Sequence, residues 1–232
     1  MENNAYINSV NLNAKTDFPY LFMEIINNQS YPMNPGFRVM HWHEDIQFIY
    51  VLSGDVSIKT LQGETVVLPG EAVFINKNVV HLVAHEGVCH YYSFVFPDYF
   101  LKFYFGSPAA KFVDRITGSA QLSIYLFSSE ISWSASIRNE LEKLIKLEKN
   151  KSEYYSYEVL TYLSNLWLIF CENLSMPESK TEDALNTRMQ TFLQYIDQHY
   201  SEEISLDELA KSANVSKSEC MRCFKKSVQM TP

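Results

Sequence analysis

Three histidines and a glutamine are the side chains in the first half of the sequence whose types and spacing suggest chemistry. His41, His43 and Gln47 lie within the segment HWHEDIQ, and His81 follows further along the chain. Because alternate residues of an extended strand face the same side, the spacing predicts that His41, His43 and Gln47 share one face. A later strand that carries His81 could complete the cluster. Imidazole nitrogens bind transition metals or form hydrogen bonds to small polar molecules.

Three interpretations of this group are open. The histidines could hold a metal ion, although Gln47 is a neutral and poor metal ligand. They could line a small-molecule pocket together with aromatic side chains, which is the usual composition of a ligand site. They could also be hydrogen-bonded core residues of a closed barrel. We favour the pocket and expect no metal and no cofactor. The candidate effector-binding residues are His41, His43, Gln47 and His81, with Tyr50, Phe74 and Tyr92 as further candidates.

The elements that must position these residues are short strands. From about residue 20 to residue 100, apolar runs rich in Val, Ile, Phe and Tyr alternate with turn signals such as Ser53-Gly54-Asp55. Strands of this length and spacing are typical of an antiparallel sandwich or barrel. The strands that we predict are Ile46–Leu52, Thr65–Leu68, Ala72–Ile75 and His90–Phe96.

A helical hairpin follows the predicted strands. Ile137, Leu141 and Leu144 fall on one helical face, and a second, more apolar stripe begins at Val159, which predicts two helices within 132–173. The second stripe is wide enough to contact a partner subunit as well as the barrel of its own chain, and we expect a homodimer through 132–173. Residues 174–186 contain Pro, Ser, Thr and acidic residues without an apolar period, which indicates a linker.

Two capping boxes near the C-terminus predict a helix-turn-helix. Ser205 with Glu208, and Ser216 with Glu219, each have the spacing that begins a helix. Asn214, between them, can adopt the left-handed backbone conformation that a tight turn between helices needs. The residues that would face the opposite helix are Leu209, Ala210, Ala213, Val215, Cys220 and Cys223. The spacing therefore predicts that Ser216–Lys226 enters a DNA major groove.

The outward face of this last helix carries residues that could contact DNA. Arg222 could make a bidentate contact to guanine, and Met221 could contact a thymine methyl group. The lysines of the helix are placed to meet phosphates, which supply affinity without sequence information. The candidate DNA-binding residues are Lys217, Ser218, Met221, Arg222, Lys225 and Lys226.

The composition excludes several classes of protein. The 232 residues are 47% hydrophobic and 20% charged, which excludes a chain disordered by composition. The longest strongly apolar run, Val159–Cys171, is too short and too polar to span a bilayer, and the N-terminus lacks the pattern of a secretory signal. Four cysteines are too few for a disulfide scaffold. We therefore expect a cytoplasmic protein with no membrane partner.

The distribution of charge matters more than its total. The net charge of −8 disfavours a nucleic-acid binder at first sight. However, the stretch Leu209–Pro232 contains five basic residues against the single acidic residue Glu219. Positive charge is thus concentrated on the predicted helix-turn-helix.

The C-terminal motifs resemble the first half of the DNA-binding domain of AraC-type transcriptional regulators. The segment EEISLDELAKSANVSKSECMRCFKKSVQMTP contains that family's pattern of I-S-L-x-x-L-A, then V-S, then R-x-F-K-K and T-P. The resemblance implies that Ser218, Met221 and Arg222 are the base-reading positions of a first helix-turn-helix unit, although Cys220 stands where the family usually has Leu. Because the family has a second unit after the T-P, the sequence is expected to be truncated within this domain and to bind double-stranded DNA weakly.

The histidine pattern resembles that of the cupin fold. Metal enzymes with this fold arrange H-x-H-x(3–4)-E and a later His around one metal, and Gln47 occupies the Glu position here. AraC-type regulators commonly join a cupin-like domain to a helical dimerisation region and then to the DNA-binding domain. That order is the one predicted for this chain.

We therefore expect an α+β multidomain protein. Its parts would be an effector-sensing, cupin-like antiparallel β-barrel (1–131), a helical hairpin (132–173), a linker (174–186) and an all-α, incomplete DNA-binding domain (187–232). The expected function is a sequence-specific DNA-binding transcriptional regulator that responds to a small-molecule effector in the barrel, and not an enzyme. The alternatives are a cupin metalloenzyme that acts on a small substrate, and a truncated antagonist that dimerises with intact relatives.

Overall fold

A computed structural model of the chain describes residues 7–8, 11–34, 38–104, 107–175, 188, 191–192, 195–196 and 198–228. The side chains of residues 7–8 and 226–228 are not part of this description. Contacts divide the chain into two compact units, Met1–Thr117 with Leu122–Ser175, and Gly118–Gln121 with Met176–Pro232. Most of the predicted linker, residues 176–186, and the closing Thr231-Pro232 lie outside the described residues.

The first unit contains two β-sheets. Its described strands are β1 (Ile7–Asn8), β2 (Leu21–Ile26), β3 (Gln29–Tyr31), β4 (His41–Trp42), β5 (Ile46–Ser53), β6 (Val56–Thr60), β7 (Glu64–Val67), β8 (Ala72–Ile75), β9 (His81–His85), β10 (His90–Phe96) and β11 (Ile124–Phe127). One sheet has the order β1-β4-β9-β6-β7, and the other has the order β11-β8-β5-β10-β2-β3. The paired strands are antiparallel except β1 with β4. The predicted antiparallel, sheet-rich N-terminal region is therefore confirmed.

The apolar core of this unit includes side chains from both sheets, among them Ile49 of β5 and Ile58 of β6. Strand β2 alternates between buried and more exposed residues, as expected when only one face of a strand meets a core. Strand β5 differs, because its first six residues are all buried. The central part of the six-stranded sheet is thus covered on both of its faces.

A helical hairpin covers the second face of the six-stranded sheet. Its helices are α2 (Ser134–Lys149) and α3 (Tyr155–Asn173), after a shorter helix α1 (Ala110–Thr117). The ring of Phe170 in α3 lies 5.2 Å from the rings of Phe74 in β8 and Phe127 in β11, measured between centroids. The apolar stripe of α3 therefore packs on the sheet of its own chain. The described helices are all too short or too polar to cross a membrane.

Helix α1 and strand β11 lie beyond the run of strands that was predicted to end near residue 100, and neither was predicted from the sequence. Helix α1 follows a short 3-10 helix at Asp98–Leu101, and β11 pairs with β8 after it. The buried Asn76 holds the segment between α1 and β11 in place. Its Nδ2 donates hydrogen bonds to the carbonyl oxygens of Ile116 (2.9 Å) and Leu122 (2.9 Å). Because these hydrogen bonds join residues far apart in the sequence, no local periodicity predicts them.

Gly54, in the turn between β5 and β6, lies very close to a neighbouring loop. Its φ is +72°, and a Cβ atom there would lie 2.1 Å from the carbonyl oxygen of Val88. Because a backbone carbonyl cannot move aside cheaply, Gly54→Ala is expected to lower the free energy of unfolding by about 2–3 kcal/mol. Gly70→Ala is the control, since φ there is +84° and no described atom lies within 4 Å of the added Cβ. If urea unfolding gave equal losses for the two variants, the approach to Val88 would carry no energetic weight.

Candidate functional site

The four polar residues of the predicted cluster come from both sheets. His41 belongs to β4 and is the register partner of His81 on β9, whereas Gln47 belongs to β5 of the other sheet. His43 lies in the connection between β4 and β5. The prediction that His41, His43 and Gln47 share one continuous strand was wrong, because the chain passes from one sheet to the other between His43 and Ile46. The side chains nevertheless meet.

The three imidazole rings form a compact, buried cluster. The ring centroids of His41 and His81 lie 4.3 Å apart, those of His43 and His81 lie 5.2 Å apart, and those of His41 and His43 lie 5.9 Å apart. One ring nitrogen from each residue lies within 4.8 Å of the others. All three side chains are buried, with His81 at 0% exposure. This geometry is compact enough for a single small ligand to contact all three rings.

Each imidazole is tied to the backbone through its Nδ1 atom. The Nδ1 atoms of His41, His43 and His81 lie 2.7, 2.7 and 2.8 Å from the carbonyl oxygens of Val39, Asp45 and Val79 respectively. A carbonyl oxygen only accepts, so each Nδ1 carries the hydrogen and each Nε2 keeps a free lone pair in the neutral ring.

Burial keeps these rings neutral. It lowers the pKa of His41 to about 4, against its hydrogen bond to the Val39 carbonyl oxygen. Burial likewise lowers the pKa of His43, and it lowers that of His81 with the added effect of the two neighbouring imidazoles. Neutral rings with a free Nε2 are the form in which histidine binds metals.

Gln47 faces the cluster with its amide oxygen. Its Nε2 donates to Ser93 Oγ at 2.8 Å, and its Oε1 lies 3.2 Å from His43 Nε2. Since both of the latter atoms accept hydrogen bonds in the neutral tautomer, no hydrogen bond joins them. Either the amide rotates by a half-turn, so that it donates to His43 and accepts from Ser93, or a cation lies between the two atoms. His81 Nε2 is also buried and has no hydrogen-bond partner among the described residues.

His41, His43 and Gln47 line a cavity inside the barrel unit. It encloses about 430 Å³ including its mouth. Its closed part has room for about one or two water molecules, which suits an ion with a small ligand. The polar wall consists of Asn11, Asn34, His41, His43, Gln47 and Ser93, and the remaining wall consists of Leu21, Met23, Ile25, Val83, Tyr91 and Val95. Of these, His41, His43 and Gln47 were predicted from the sequence; Ser93, a polar residue within the apolar strand HYYSFVF, is a signal that was missed.

Four of the predicted effector-binding residues are not part of this cavity wall: His81, which belongs to the adjoining three-histidine cluster, and Tyr50, Phe74 and Tyr92. Tyr50 donates a hydrogen bond from its hydroxyl group to Glu142 of α2 at 3.0 Å, and Tyr92 donates one to Glu24 at 3.1 Å. Phe74 packs against Phe170 of α3. The reason is strand alternation: Tyr50 lies on the opposite face of β5 from Gln47, and Tyr92 lies on the opposite face of β10 from Tyr91 and Ser93. Tyr50, Phe74 and Tyr92 therefore lie outside this cavity, and their part in effector binding stays a prediction.

The cluster satisfies the requirements of the metal site that the cupin resemblance implies. Three neutral imidazoles with their Nδ1 atoms fixed by backbone carbonyls are the usual arrangement of histidine ligands and their supporting hydrogen bonds. The unpartnered Nε2 of His81 has a lone pair available to a cation, and with the amide in its present orientation His43 Nε2 and Gln47 Oε1 would both be donors to the same cation. His41, His43 and His81 would hold the metal, with Gln47 Oε1 as a fourth donor. The expectation that the barrel lacks a metal stays a prediction.

The second unit contains two short helices joined by a tight turn. Helix α4 (Leu206–Ser212) begins at Ser205, and both halves of the predicted capping box with Glu208 are present. At its end, Asn214 has a φ of +53°, and the N–H of Val215 donates to the carbonyl oxygen of Ala210 at 3.0 Å. Together with the bond from Asn214 N–H to Lys211 O, this is a Schellman motif. The predicted turn residue and helix start are thus confirmed.

Helix α5 (Lys217–Val228) packs on α4 through its predicted inner face. Cys220 and Cys223 are both at 0% exposure and pack with Leu209 and Ala210. Phe192 and Phe224 also belong to this core. The two cysteines therefore act as small apolar core residues.

The second capping box is only half formed. Ser216 Oγ accepts a hydrogen bond from Glu219 N–H at 3.2 Å, as predicted. The Glu219 carboxylate instead accepts hydrogen bonds from Nε (2.9 Å) and Nη2 (2.7 Å) of Arg222 and from Arg188 (2.6 Å). The competing guanidinium groups offer charge-assisted bonds, which are stronger than the one that the backbone N–H would give.

The candidate DNA-binding residues lie together on the outer side of α5. Lys217, Ser218, Arg222 and Lys225 are exposed, and Met221 is half-buried. Lys217 also pairs with Asp207 at 3.2 Å. The side chain of Lys226 is outside the described residues. Because Glu219 occupies two nitrogens of Arg222, a bidentate contact to guanine requires Arg222 to exchange at least one of these bonds.

Comparisons with known proteins agree with these observations. A family model described as "Cupin domain" matches residues 29–95. Over 201 residues the chain is 28% identical to the HTH-type transcriptional regulator YdeC of Bacillus subtilis (strain 168), a match that spans 85% of this chain and 68% of that protein.

Two solved structures are also similar. The AraC-like transcriptional activator CuxR has a TM-score of 0.43 and 12% identity over 79% of this chain and 62% of its own. ToxT from Vibrio cholerae has a TM-score of 0.40 and 11% identity over 92% of this chain and 95% of its own. The chain thus spans 62% of the length of the CuxR chain. Taking the sequence motifs with the family match and the curated relative, the chain contains a cupin domain followed by a helix-turn-helix, and it resembles transcriptional regulators of the AraC type.

Proposed function

We propose that the chain is a sequence-specific DNA-binding transcriptional regulator whose barrel binds a small effector. The observation that carries this proposal is the presence in one chain of two units of different character. One unit holds a buried polar cavity beside the three-histidine cluster, and the other is a capped helix-turn-helix with an exposed basic helix face. The similarity to YdeC, a transcriptional regulator, supports the same function.

In this proposal α5 reads DNA. Its exposed Ser218 and Arg222 reach base edges, and Lys217, Lys225 and Lys226 contact phosphates. Glu219 holds Arg222 in the absence of DNA and releases it when a guanine replaces the carboxylate.

The cavity supplies the effector site. The bound molecule is small, since the closed part of the cavity admits little more than an ion with a small ligand. It contacts His41, His43, Gln47 and His81, while the aliphatic wall excludes water. A metal ion bound by the three histidines would supply a Lewis-acidic centre for an oxygen atom of such a molecule.

We further propose that the chain forms a homodimer through 132–173. The inner stripe of α3 packs on its own barrel, but Tyr157 and Leu168 of α3 remain exposed, at 76% and 55%. A second copy of the chain would cover these residues. Size-exclusion chromatography with light scattering on Leu168→Glu is a direct check, because a charge at the interface would favour the monomer.

A cupin metalloenzyme is the second candidate function, and the neutral three-histidine cluster is the observation that favours it. An enzyme would lose turnover of its substrate in His81→Ala. A regulator with the same substitution would lose its response to the effector and keep its basal affinity for DNA. The two functions therefore separate in a DNA-binding measurement on this variant.

The proposed DNA readout is tested with Arg222→Ala. Operator sequences are first selected from random duplexes with the purified chain, and binding is then measured by fluorescence anisotropy at one fixed salt concentration. The variant is expected to lose about 1–3 kcal/mol of operator binding, or roughly fivefold to 150-fold, and much less on random duplexes. Lys225→Ala is the comparison, since loss of a phosphate contact weakens both duplexes alike. Equal losses on both duplexes for Arg222→Ala would remove Arg222 from sequence readout, and failure to select any sequence would contradict the proposed function.

A further inference from the structure

The donor set around the three histidines carries no charge. The imidazoles of His41, His43 and His81 are neutral, and the fourth donor, Gln47 Oε1, belongs to an amide. The described residues that line the cavity include no Asp, Glu, Lys or Arg. Asp45 is near in sequence, but its carboxylate is hydrogen-bonded to Asn11 and it is not part of the cavity wall. Nothing on this wall offsets the charge of a bound cation.

A divalent cation held only by neutral donors keeps its full charge. In a buried site of low dielectric constant that charge is costly unless an anion accompanies it. A glutamate at position 47 would supply one negative charge to the site. Gln47 has a side chain of the same length but carries no charge. Its amide is held in place by the 2.8 Å hydrogen bond to Ser93. The described residues of the site therefore supply no anion that would balance a metal ion.

We infer that the effector of this barrel is a small anion, a carboxylate or similar oxyanion, which binds through its oxygen atoms to a divalent metal held by His41, His43, His81 and Gln47. This inference rests on the proposed function, because it names the chemical class of the effector. The aliphatic part of the cavity wall, including Leu21, Ile25 and Val83, suits a short apolar tail on the anion. Gln47 is the residue that selects an anion over a neutral molecule, since it leaves the metal charge uncompensated.

The test uses Co²⁺ as the probe metal and acetate as the probe anion. The purified chain is freed of metal with a chelator and loaded with one equivalent of Co²⁺, whose visible absorption reports its ligands. Acetate is expected to change this spectrum in a saturable way, whereas acetamide, its neutral analogue of the same shape, is expected not to. Gln47→Glu is expected to keep Co²⁺ and to bind acetate at least tenfold more weakly. Gln62→Glu, the same change at an exposed turn residue, should leave the acetate response unchanged.

Several results would overturn the inference. They are an equal response to acetate and acetamide, no response to either, an unchanged acetate affinity in Gln47→Glu, and failure of the chain to bind Co²⁺ through the histidines. The comparison of acetate with acetamide on the wild-type chain decides the matter even if Gln47→Glu does not fold. None of these measurements involves DNA. The proposed function fails separately, if the chain binds selected and random duplexes equally well.

Discussion

His81→Ala is expected to lower the affinity of the chain for Co²⁺ by at least about 100-fold. His81 is at 0% exposure, and its Nε2 has no partner among the described residues, so this lone pair is available to a metal. Loss of a residue that only supports a ligand already costs about 10- to 100-fold in metal affinity, and loss of a ligand costs more. A titration followed by visible absorption, with one Co²⁺ expected per wild-type chain, measures the change.

His85→Ala is the matched control for this prediction. His85 ends the same strand, its Nδ1 contacts the Gly87 carbonyl oxygen at 3.0 Å, and it is not part of the three-histidine cluster. Its Co²⁺ affinity should equal that of the wild type. If the His81 and His85 variants bound Co²⁺ with the same affinity, the histidine cluster would not be a metal site.

Phe170→Ala is expected to lower the free energy of unfolding of the barrel unit by about 3–5 kcal/mol. The side chain is at 0% exposure, and its ring contacts the rings of Phe74, Phe127 and Trp133. Truncation leaves a cavity in an aromatic layer that cannot collapse easily, and the cost combines lost burial with this cavity. Chemical denaturation followed by tryptophan fluorescence checks the value, since Trp133 and Trp167 lie beside the site.

Lys146→Ala, on α2 of the same hairpin, is the control. Lys146 is exposed, and its truncation should cost less than about 1 kcal/mol. A loss for Phe170→Ala as small as this would mean that the helical hairpin is held to the sheet by other contacts.

The helix-turn-helix was predictable because its signals are local. The Ser205 capping box, the left-handed Asn214 and the buried pair Cys220 and Cys223 each depend on neighbours a few residues away. Only the second capping box differed in part. The Glu219 carboxylate accepts a hydrogen bond from Arg188, which lies 31 residues earlier in the sequence. No local sequence pattern predicts this contact.

The barrel was predictable in its class but not in the faces of its strands. Alternation could not assign Tyr50, Phe74 and Tyr92, because β5, β8 and β10 are buried on both faces over most of their length. The polar residues were better guides. His41, His43 and His81 do meet, although the chain changes sheet within the motif. The same logic applied to Ser93 would have added it to the candidate site.

The predicted absence of a metal depended on Gln47 alone. From the sequence, a neutral amide in place of a carboxylate disfavours a metal site. The structure adds two facts that composition cannot supply: the Nδ1 atoms are all occupied by backbone carbonyls, and the Nε2 of His81 has no described partner. These facts favour a cation. In the proposed site Gln47 does not compensate the charge of the metal, so that an anionic effector can compensate it.

The most direct test of a ligand-responsive regulator is its affinity for a selected operator with the barrel empty and with the barrel loaded. Binding would be measured by anisotropy on the metal-free chain and on the chain with Co²⁺ and acetate, at one salt concentration. A ligand acts on DNA binding only through its different affinity for the two conformations, and such couplings are typically about 5- to 150-fold. We expect a change of at least about fivefold for the wild type and none for His81→Ala. Identical operator affinities for the empty and loaded wild-type chain would contradict a sensor in the barrel.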